Sequence, residues 1–199
     1  DINSDYVDYS YLYENRYALL KKAYENSHIT DNEDFKAYCK DNAWWLEDYA
    51  LFMAIKASYD NQGWENWPLE LRLRNDASLT EKRNELSDDV NYHKFLQYYV
   101  WKQWYALKKY ANDQGIMIIG DMPIYVGLDS ADCWLDQEDF LLEEDGTPSF
   151  VAGVPPDYFS EFGQRWGNPT YDWDHLEKTN FKFWIDRIHS ANTVSYTHL

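Results

Sequence analysis

The chain has 199 residues, of which 35 are acidic and 18 are basic, so its formal net charge is −17, and aromatic residues make up 19% of it. This acidity disfavours nucleic acid and anionic membrane surfaces as partners, because both attract positively charged proteins. A neutral ligand is compatible with the charge, although acidic residues also serve solubility alone.

The first 114 residues are predicted to be mostly helical. In the first segment, apolar residues spaced at i, i+4, i+7 and i+11 lie on one helical face: Tyr13, Tyr17, Leu20 and Tyr24. Thr30 followed by Glu33 has the pattern of a capping box, which predicts the start of a second helix there. Residues 42–59 are apolar around most of a helical circumference, which predicts a helix buried on several sides.

Residues 78–113 contain neither Gly nor Pro, which predicts one long packed helix, straight or kinked, that ends near Gly115. Its predicted apolar stripes are Leu86, Val90, His93, Gln97, Val100 and Trp104, and beside them Leu96, Tyr99, Gln103 and Leu107. The next run, Ile116–Ile119, is continuously apolar, as in a strand covered on both faces. A helix, a glycine turn and such a strand together predict an α/β unit with a parallel sheet.

Further along, "SADCWLD" predicts a short helix, and residues 181–191 predict an amphipathic one. The residues expected on the apolar side of that second helix are Phe181, Trp184, Ile185 and Ile188. Cys39 and Cys133 form no C-x-x-C pair, so we expect two unpaired buried thiols in a reducing compartment. The sequence has no stretch of eighteen apolar residues and no signal-peptide pattern at its start, which predicts a cytoplasmic location.

Asp121 lies directly after the predicted strand, next to Gly120. In parallel α/β proteins, polar groups at the carboxyl ends of strands point into the ligand crevice, which makes Asp121 a candidate binding residue. The alternative is that its carboxylate caps the following turn, a common role for aspartate.

The segment Val151–Thr170 combines three glycines, three prolines and four aromatic residues. Gly and Pro at this density predict neither a regular helix nor a regular strand. Because disordered segments are poor in aromatic residues, a packed loop over a binding site is the favoured interpretation, and a structural flap whose rings fill the domain is the alternative. The candidate binding residues of this segment are Asp157, Phe159, Gln164 and Trp166.

Other chemistry has little support in the sequence. Asp121 and Asp157 are conceivable as the two carboxylates of a retaining glycosidase, but these must lie about 5–5.5 Å apart, which sequence spacing does not test. The five histidines form no H-x-H or H-E-x-x-H pattern, and there is no G-x-S-x-G motif or Gly-rich phosphate loop. We therefore expect neither a metal site nor a cofactor.

Two stretches resemble the amylomaltase family, the 4-α-glucanotransferases: "FLQYYVWKQWYALKKYANDQGIMIIGDMPIYVGLDSADCW" and "VAGVPPDYFSEFGQRWGNPTYDWD". The resemblance extends over about residues 1–191. It implies that the chain forms part of a (β/α)8 TIM barrel with long helical insertions, in an enzyme that cleaves an α-1,4-glucan with retention and transfers the piece to another sugar. Residues 1–114 would be a helical barrel-associated segment, and residues 115–191 would hold a barrel strand, the aromatic active-site loop and a helix.

The resemblance also implies roles for individual residues. Asp121 would lie near the scissile sugar at the end of a barrel strand, and Tyr9, in "VDY", would be a further sugar contact. The expected loop contacts to the glucan are Asp157, Phe159, Gln164 and Trp166, with the two aromatic rings stacking on sugar rings.

One departure from the family pattern concerns catalysis. The nucleophilic aspartate of the family lies in an R-x-D-H-F-R motif after the helix at 181–191, and this chain has no such motif. The resemblance thus implies that the nucleophile and the acid/base lie beyond the C-terminus, and that residues 192–199 are a non-native tail. We expect the chain alone to be inactive and prone to aggregate, because an incomplete barrel leaves an open sheet edge.

The function expected from the sequence is therefore that of a 4-α-glucanotransferase fragment acting on maltooligosaccharide or α-1,4-glucan. A non-catalytic carbohydrate-binding module with the same loop is the second interpretation, and a helical interaction protein is the third. Sugar binding without turnover by a complete chain favours the second. A stable monodisperse fold that binds no sugar favours the third.

Overall fold

The computed structural model describes residues 6–195 and 197–198 of the chain, so the predicted 192–199 tail is described only in part, and its residues 196 and 199 lie outside the described residues. The helices of this part are α1 (Tyr9–Ser27), α2 (Glu33–Asp41), α3 (Ala43–Ser58), α4 (Leu69–Arg72), α5 (Asp76–Glu85), α6 (Ser87–Asp113), α7 (Ala131–Leu135), α8 (Trp173–Lys178) and α9 (Lys182–Val194). The strands are β1 (Ile119–Gly120), β2 (Val151–Val154), β3 (Gln164–Pro169) and β4 (Thr197–His198). Within these ranges we find no helix whose length and apolar composition suit a membrane span.

Helix α3 is buried on several sides, as its composition predicted. Its buried side chains are Leu46, Ala50, Leu51, Phe52, Ala54 and Ile55. The rings of Trp67 and Trp134 lie 5.4 and 5.6 Å from that of Phe52, measured between centroids. The Trp134 indole Nε1 donates a hydrogen bond to the Leu71 carbonyl at 3.0 Å. This cluster fixes the predicted short helix, α7, to the helical part of the chain.

A second apolar cluster joins α1 and α2 to the first half of α6. Its buried members are Tyr24, Ile29, Phe35, Tyr38, Leu46, Tyr92, Phe95 and Tyr98. At its edge, Lys21 Nζ lies 3.0 Å from an Asp88 carboxylate oxygen and 2.9 Å from an Asp89 carboxylate oxygen. The Tyr24 hydroxyl donates to Asp88 at 2.9 Å. These bonds hold α1 against the start of α6, where negative side chains also interact favourably with the helix dipole.

The start of α2 differs from the predicted one. The cap is Asn32, whose side-chain oxygen accepts a hydrogen bond from the Phe35 amide at 2.9 Å. Thr30 lies instead within a 3-10 turn, Ile29–Asp31, so the predicted capping box of Thr30 and Glu33 is wrong. Asparagine and threonine both suit a cap, but only Asn32 has the extended backbone conformation next to the first helical turn.

The predicted long helix without Gly or Pro is two helices, α5 and α6, which are separated at Leu86. The second of them ends as predicted, because Gly115 has a φ of +77°. The Gly115 amide donates to the Asn112 carbonyl at 2.8 Å, and the Ile116 amide donates to the Ala111 carbonyl at 3.0 Å. These two bonds form a Schellman motif, for which glycine is favoured because it lacks a Cβ.

Three predicted apolar faces are buried only in part. The buried residues on these helices are Tyr24 of α1, Val90, Tyr92, Phe95 and Tyr98 of α6, and Phe183 of α9. Residues of the predicted faces that are exposed include Tyr13, Tyr17, Val100, Leu107, Phe181, Ile185 and Ile188. Of the buried residues only Tyr24 and Val90 belong to the predicted faces, because the position of neighbouring elements, and not the apolar period alone, decides which side of a helix is buried.

The predicted strand at Ile116–Ile119 is shorter and more exposed than expected. Strand β1 contains only Ile119–Gly120 and pairs in parallel with β4, as an α/β unit predicts. Ile116, Met117 and Ile119 are exposed, so the prediction of a strand covered on both faces is wrong for the described chain. Within the described residues its only strand neighbour has two residues, whereas burial of a parallel strand requires elements over both faces.

Candidate functional site

The segment Val151–Thr170 contains a β-hairpin and is not the irregular loop that its Gly and Pro content predicted. Strand β2 pairs antiparallel with β3, and the register shifts between Val151 and Gly153. A Cβ on Gly153 would lie 2.4 Å from the Gln164 carbonyl oxygen. Glycine therefore permits a close approach of the two strands here, whereas in a sequence the same residue fits a turn equally well.

The tip of this hairpin presents aromatic rings to solvent. Tyr158, Phe159 and Phe162 are 97%, 89% and 88% exposed. The Asp157 Oδ1 atom accepts hydrogen bonds from the amides of Phe159 and Ser160, at 2.9 and 2.8 Å. This carboxylate thus closes the turn that carries the rings. Rings this exposed do not fit the alternative in which they fill the domain.

Gln164 and Trp166 are two residues apart on β3, so their side chains leave the same face of the hairpin. Trp166 Nε1 donates to Gln164 Oε1 at 2.9 Å, while Trp166 remains 48% exposed. The ring of Tyr125 lies edge-on to that of Trp166, with centroids 6.3 Å apart. The result is an accessible flat apolar ring beside a polar amide, groups that together suit an amphipathic ligand.

The segment that follows β1 is held by side-chain hydrogen bonds from β3 and from the residue Tyr171 just after it. Asn168 Nδ2 donates to the Val126 carbonyl at 2.8 Å, and the Tyr171 hydroxyl donates to the Ile124 carbonyl at 2.8 Å. The rings of Tyr125 and Tyr171 stack with centroids 5.9 Å apart. Burial raises the pKa of Tyr171, which keeps its hydroxyl protonated as a donor.

Asp121 follows β1 directly and is exposed. Among the described residues its carboxylate has no hydrogen bond or ion pair, so its alternative role as a cap of the next turn finds no support there. Tyr125, four residues further on, contacts Trp166 and thereby joins the Asp121 segment to β3.

Tyr9 is separate from this arrangement. It is the first residue of α1 and is 77% exposed. No hydrogen bond, ion pair or ring contact within residues 6–195 joins it to the hairpin. The structure therefore brings together the hairpin residues and the segment after Asp121, and it adds no contact that includes Tyr9.

The sequence reasoning missed the residues that hold the segment after β1 in place, namely Tyr125, Asn168, Tyr171 and Arg187. Their partners are distant in sequence: Asn168 is 42 positions from Val126, and Tyr171 is 47 positions from Ile124. No local pattern marks such pairs, so only the three-dimensional structure identifies them.

Two larger cavities of the described chain lie elsewhere. A groove of about 810 Å³ between α3, α6 and α9 is lined by aromatic residues that include Trp44, Trp101 and Tyr105. A cleft of about 460 Å³ has Asp139 and His175 in its wall. Neither is lined by a predicted binding residue. No group of three or more His, Cys, Asp or Glu side chains in the described part is arranged to hold a metal ion.

Comparison with known proteins identifies the family to which the chain is similar. The family model described as 4-alpha-glucanotransferase matches residues 1–197 of the chain. The chain is 50% identical over 189 residues to the 4-alpha-glucanotransferase of Thermus thermophilus, and this alignment covers 93% of this chain and 38% of that protein. It is 45% identical over 190 residues to the 4-alpha-glucanotransferase of Clostridium butyricum, with 95% and 39% covered.

The structure is also similar to a solved one, the amylomaltase from Streptococcus agalactiae in complex with acarbose. The TM-score is 0.89 and the sequence identity is 41%, over 96% of this chain and 39% of that chain. The chain thus spans about two fifths of the length of these relatives, 38–39%. Since the family model matches almost the entire sequence, the chain belongs to the 4-alpha-glucanotransferase family.

Proposed function

We propose that this chain is the glucan-binding part of a longer 4-α-glucanotransferase, an amylomaltase that transfers segments of α-1,4-glucan to acceptor sugars by retaining double displacement. The observation that carries the proposal is the exposed aromatic hairpin, docked on the segment after Asp121, in a chain that belongs to this family. The acarbose complex of the similar amylomaltase supports a glucan as the ligand.

The roles of the site residues follow from their chemistry. Trp166 and Phe159 offer exposed rings on which sugar rings stack, and Gln164 and Asp157 offer polar atoms beside them. Asp121, exposed at the end of β1, binds near the scissile sugar. Tyr9 contacts a more distant part of the glucan from α1.

The hairpin also has a chemical task in transfer. In a retaining mechanism, the glycosyl-enzyme intermediate passes to water or to a sugar hydroxyl, and transfer requires that the sugar compete successfully with water. Aromatic rings that cover the bound glucan exclude water from the intermediate. The nucleophile and the acid/base lie outside these 199 residues, so the chain alone is inactive and tends to aggregate.

We further propose a partial (β/α)8 barrel, in which residues 1–114 are the helical part, 115–191 hold the barrel strand, hairpin and following helix, and 192–199 are a non-native tail. The similarity to an amylomaltase structure supports the barrel. The net charge of −17 supports a neutral glucan, and neither nucleic acid nor a membrane, as partner. The free cysteines Cys39 and Cys133 support a cytoplasmic location.

The test uses the full-length protein, meaning the complete open reading frame that carries this sequence. Incubated with maltotriose, it should produce glucose together with longer maltooligosaccharides, separated by chromatography. Trp166→Ala should weaken the affinity for maltoheptaose about 10-fold, the loss of roughly one stacking contact. Trp44→Ala is the matched control, because Trp44 is 59% exposed on α3 outside the site.

Two outcomes contradict the proposal. Binding of maltoheptaose without any new products indicates a carbohydrate-binding module instead of a transferase. Equal affinity in the wild type and Trp166→Ala rejects the stacking role of the hairpin.

A further inference from the structure

The segment between Asp121 and α7 is held in place by side chains. Its carbonyl groups accept hydrogen bonds from distant residues, including Tyr171 to Ile124 and Asn168 to Val126. Within the described residues this segment belongs to no strand. Its shape, and hence the position of Asp121, therefore depends on those donors.

Arg187 is one of these donors and occupies a central position among them. On α9, its Nη2 atom donates to the Pro123 carbonyl at 2.9 Å. Its Nη1 atom donates to the Tyr171 hydroxyl at 3.2 Å. That hydroxyl in turn donates to the Ile124 carbonyl. One guanidinium thus fixes two consecutive carbonyls, one directly and one through tyrosine.

The guanidinium group of Arg187 packs against two aromatic rings. Its central carbon lies 5.2 Å from the ring centroid of Trp184 and 5.5 Å from that of Phe183, within the range of cation–π contacts. The planar fork of arginine donates to two acceptors in fixed directions. Lysine at position 187 has a single ammonium group and cannot reproduce that geometry.

We propose that Arg187 is a positioning residue for the glucan site, which holds the Asp121 segment against the hairpin so that Asp121 and Trp166 act on the same bound glucan. The inference rests on the proposed transferase function. Pro123, the residue that Arg187 binds, is only two positions after Asp121, and a misplacement of about 1 Å in an active site can reduce the rate about 100-fold.

The experiment measures kcat and KM for maltotriose transfer in the full-length protein. Arg187→Met should lower kcat/KM about 10- to 100-fold. Arg187→Lys should recover only part of the loss. Tyr171→Phe should reproduce a smaller part, because it removes the hydroxyl that links Arg187 to Ile124 but keeps the direct bond from Arg187 to the Pro123 carbonyl. Lys182→Met, a change at the other long basic side chain of α9, is the matched control and should leave kcat/KM within about twofold of the wild type.

Double variants separate positioning from loss of the fold. If Arg187 acts by placing Asp121, then Arg187→Met should reduce the activity of an Asp121→Asn protein by less than about threefold, since the site is already impaired. Equal fold-losses in the two backgrounds contradict the positioning role. A wild type without transferase activity refutes the proposed function, whereas an active wild type with an equally active Arg187→Met variant refutes only the role of Arg187.

Discussion

Gly153→Ala is the substitution that most sharply tests the geometry of the hairpin. The added Cβ would lie 2.4 Å from the Gln164 carbonyl oxygen, and Cβ atoms essentially never approach closer than 3.0 Å. The strands must therefore separate by at least the 0.6 Å difference between these distances. The Gln164 carbonyl belongs to the backbone and cannot rotate away as a side chain could. We therefore expect the free energy of the paired hairpin to become less favourable by about 1–3 kcal/mol.

Hydrogen–deuterium exchange of the full-length protein measures this loss locally. If the free energy of opening the hairpin falls by about 1–3 kcal/mol, the exchange rates of the paired amides in residues 151–169 should rise roughly 5- to 150-fold. Gly127→Ala is the matched control, because a Cβ there has no atom within 4 Å. Unchanged exchange in Gly153→Ala would contradict the close approach of Gly153 to the Gln164 carbonyl.

Three further changes test the fold and the site. Asn32→Ala removes the cap of α2 and should cost about 1 kcal/mol in a urea titration; a midpoint equal to that of the wild type contradicts the cap. Desolvation lowers the pKa of His93 to about 4, so stability should fall as pH drops below 6.5, by roughly 2 kcal/mol at pH 5. His93→Gln should flatten that dependence between pH 7 and pH 5, and an unaltered slope excludes His93 as its source. Phe159→Ala should weaken maltoheptaose binding but leave the urea midpoint unchanged, because this ring is 89% exposed; a lowered midpoint assigns the ring a structural role.

Local patterns in the sequence were sufficient to predict several elements of the fold. Gly115 ends α6 because the Schellman motif depends on residues adjacent to it. The composition of α3 predicted its burial on several sides, since a helix apolar all round has few other stable locations. A parallel pairing of β1 was predicted from the order of neighbouring elements, but its partner in the structure, β4, lies in the segment predicted to be a non-native tail.

The failures share a physical cause, which is contact between distant parts of the chain. Gly153 was interpreted as part of a loop because the strand that approaches it is eleven positions away, at Gln164. On α9 the buried residue is Phe183, with the predicted Trp184 partly buried beside it, whereas Ile185 of the predicted face is exposed, because the position of neighbouring elements decides burial. In the site, Gln164 and Trp166 were predicted as glucan contacts of a loop, but neither their hydrogen bond within a hairpin nor the contact of Trp166 with Tyr125 was predicted.

The convergence of Asp121 and the hairpin on a single glucan is tested most directly by a crystal structure of the full-length protein with bound acarbose. We predict that an Asp121 carboxylate oxygen lies within about 3.2 Å of a sugar oxygen and that the Trp166 ring stacks on the same ligand. Acarbose bound only in the aromatic groove between α3, α6 and α9, with no contact to Asp121 or Trp166, would contradict the account.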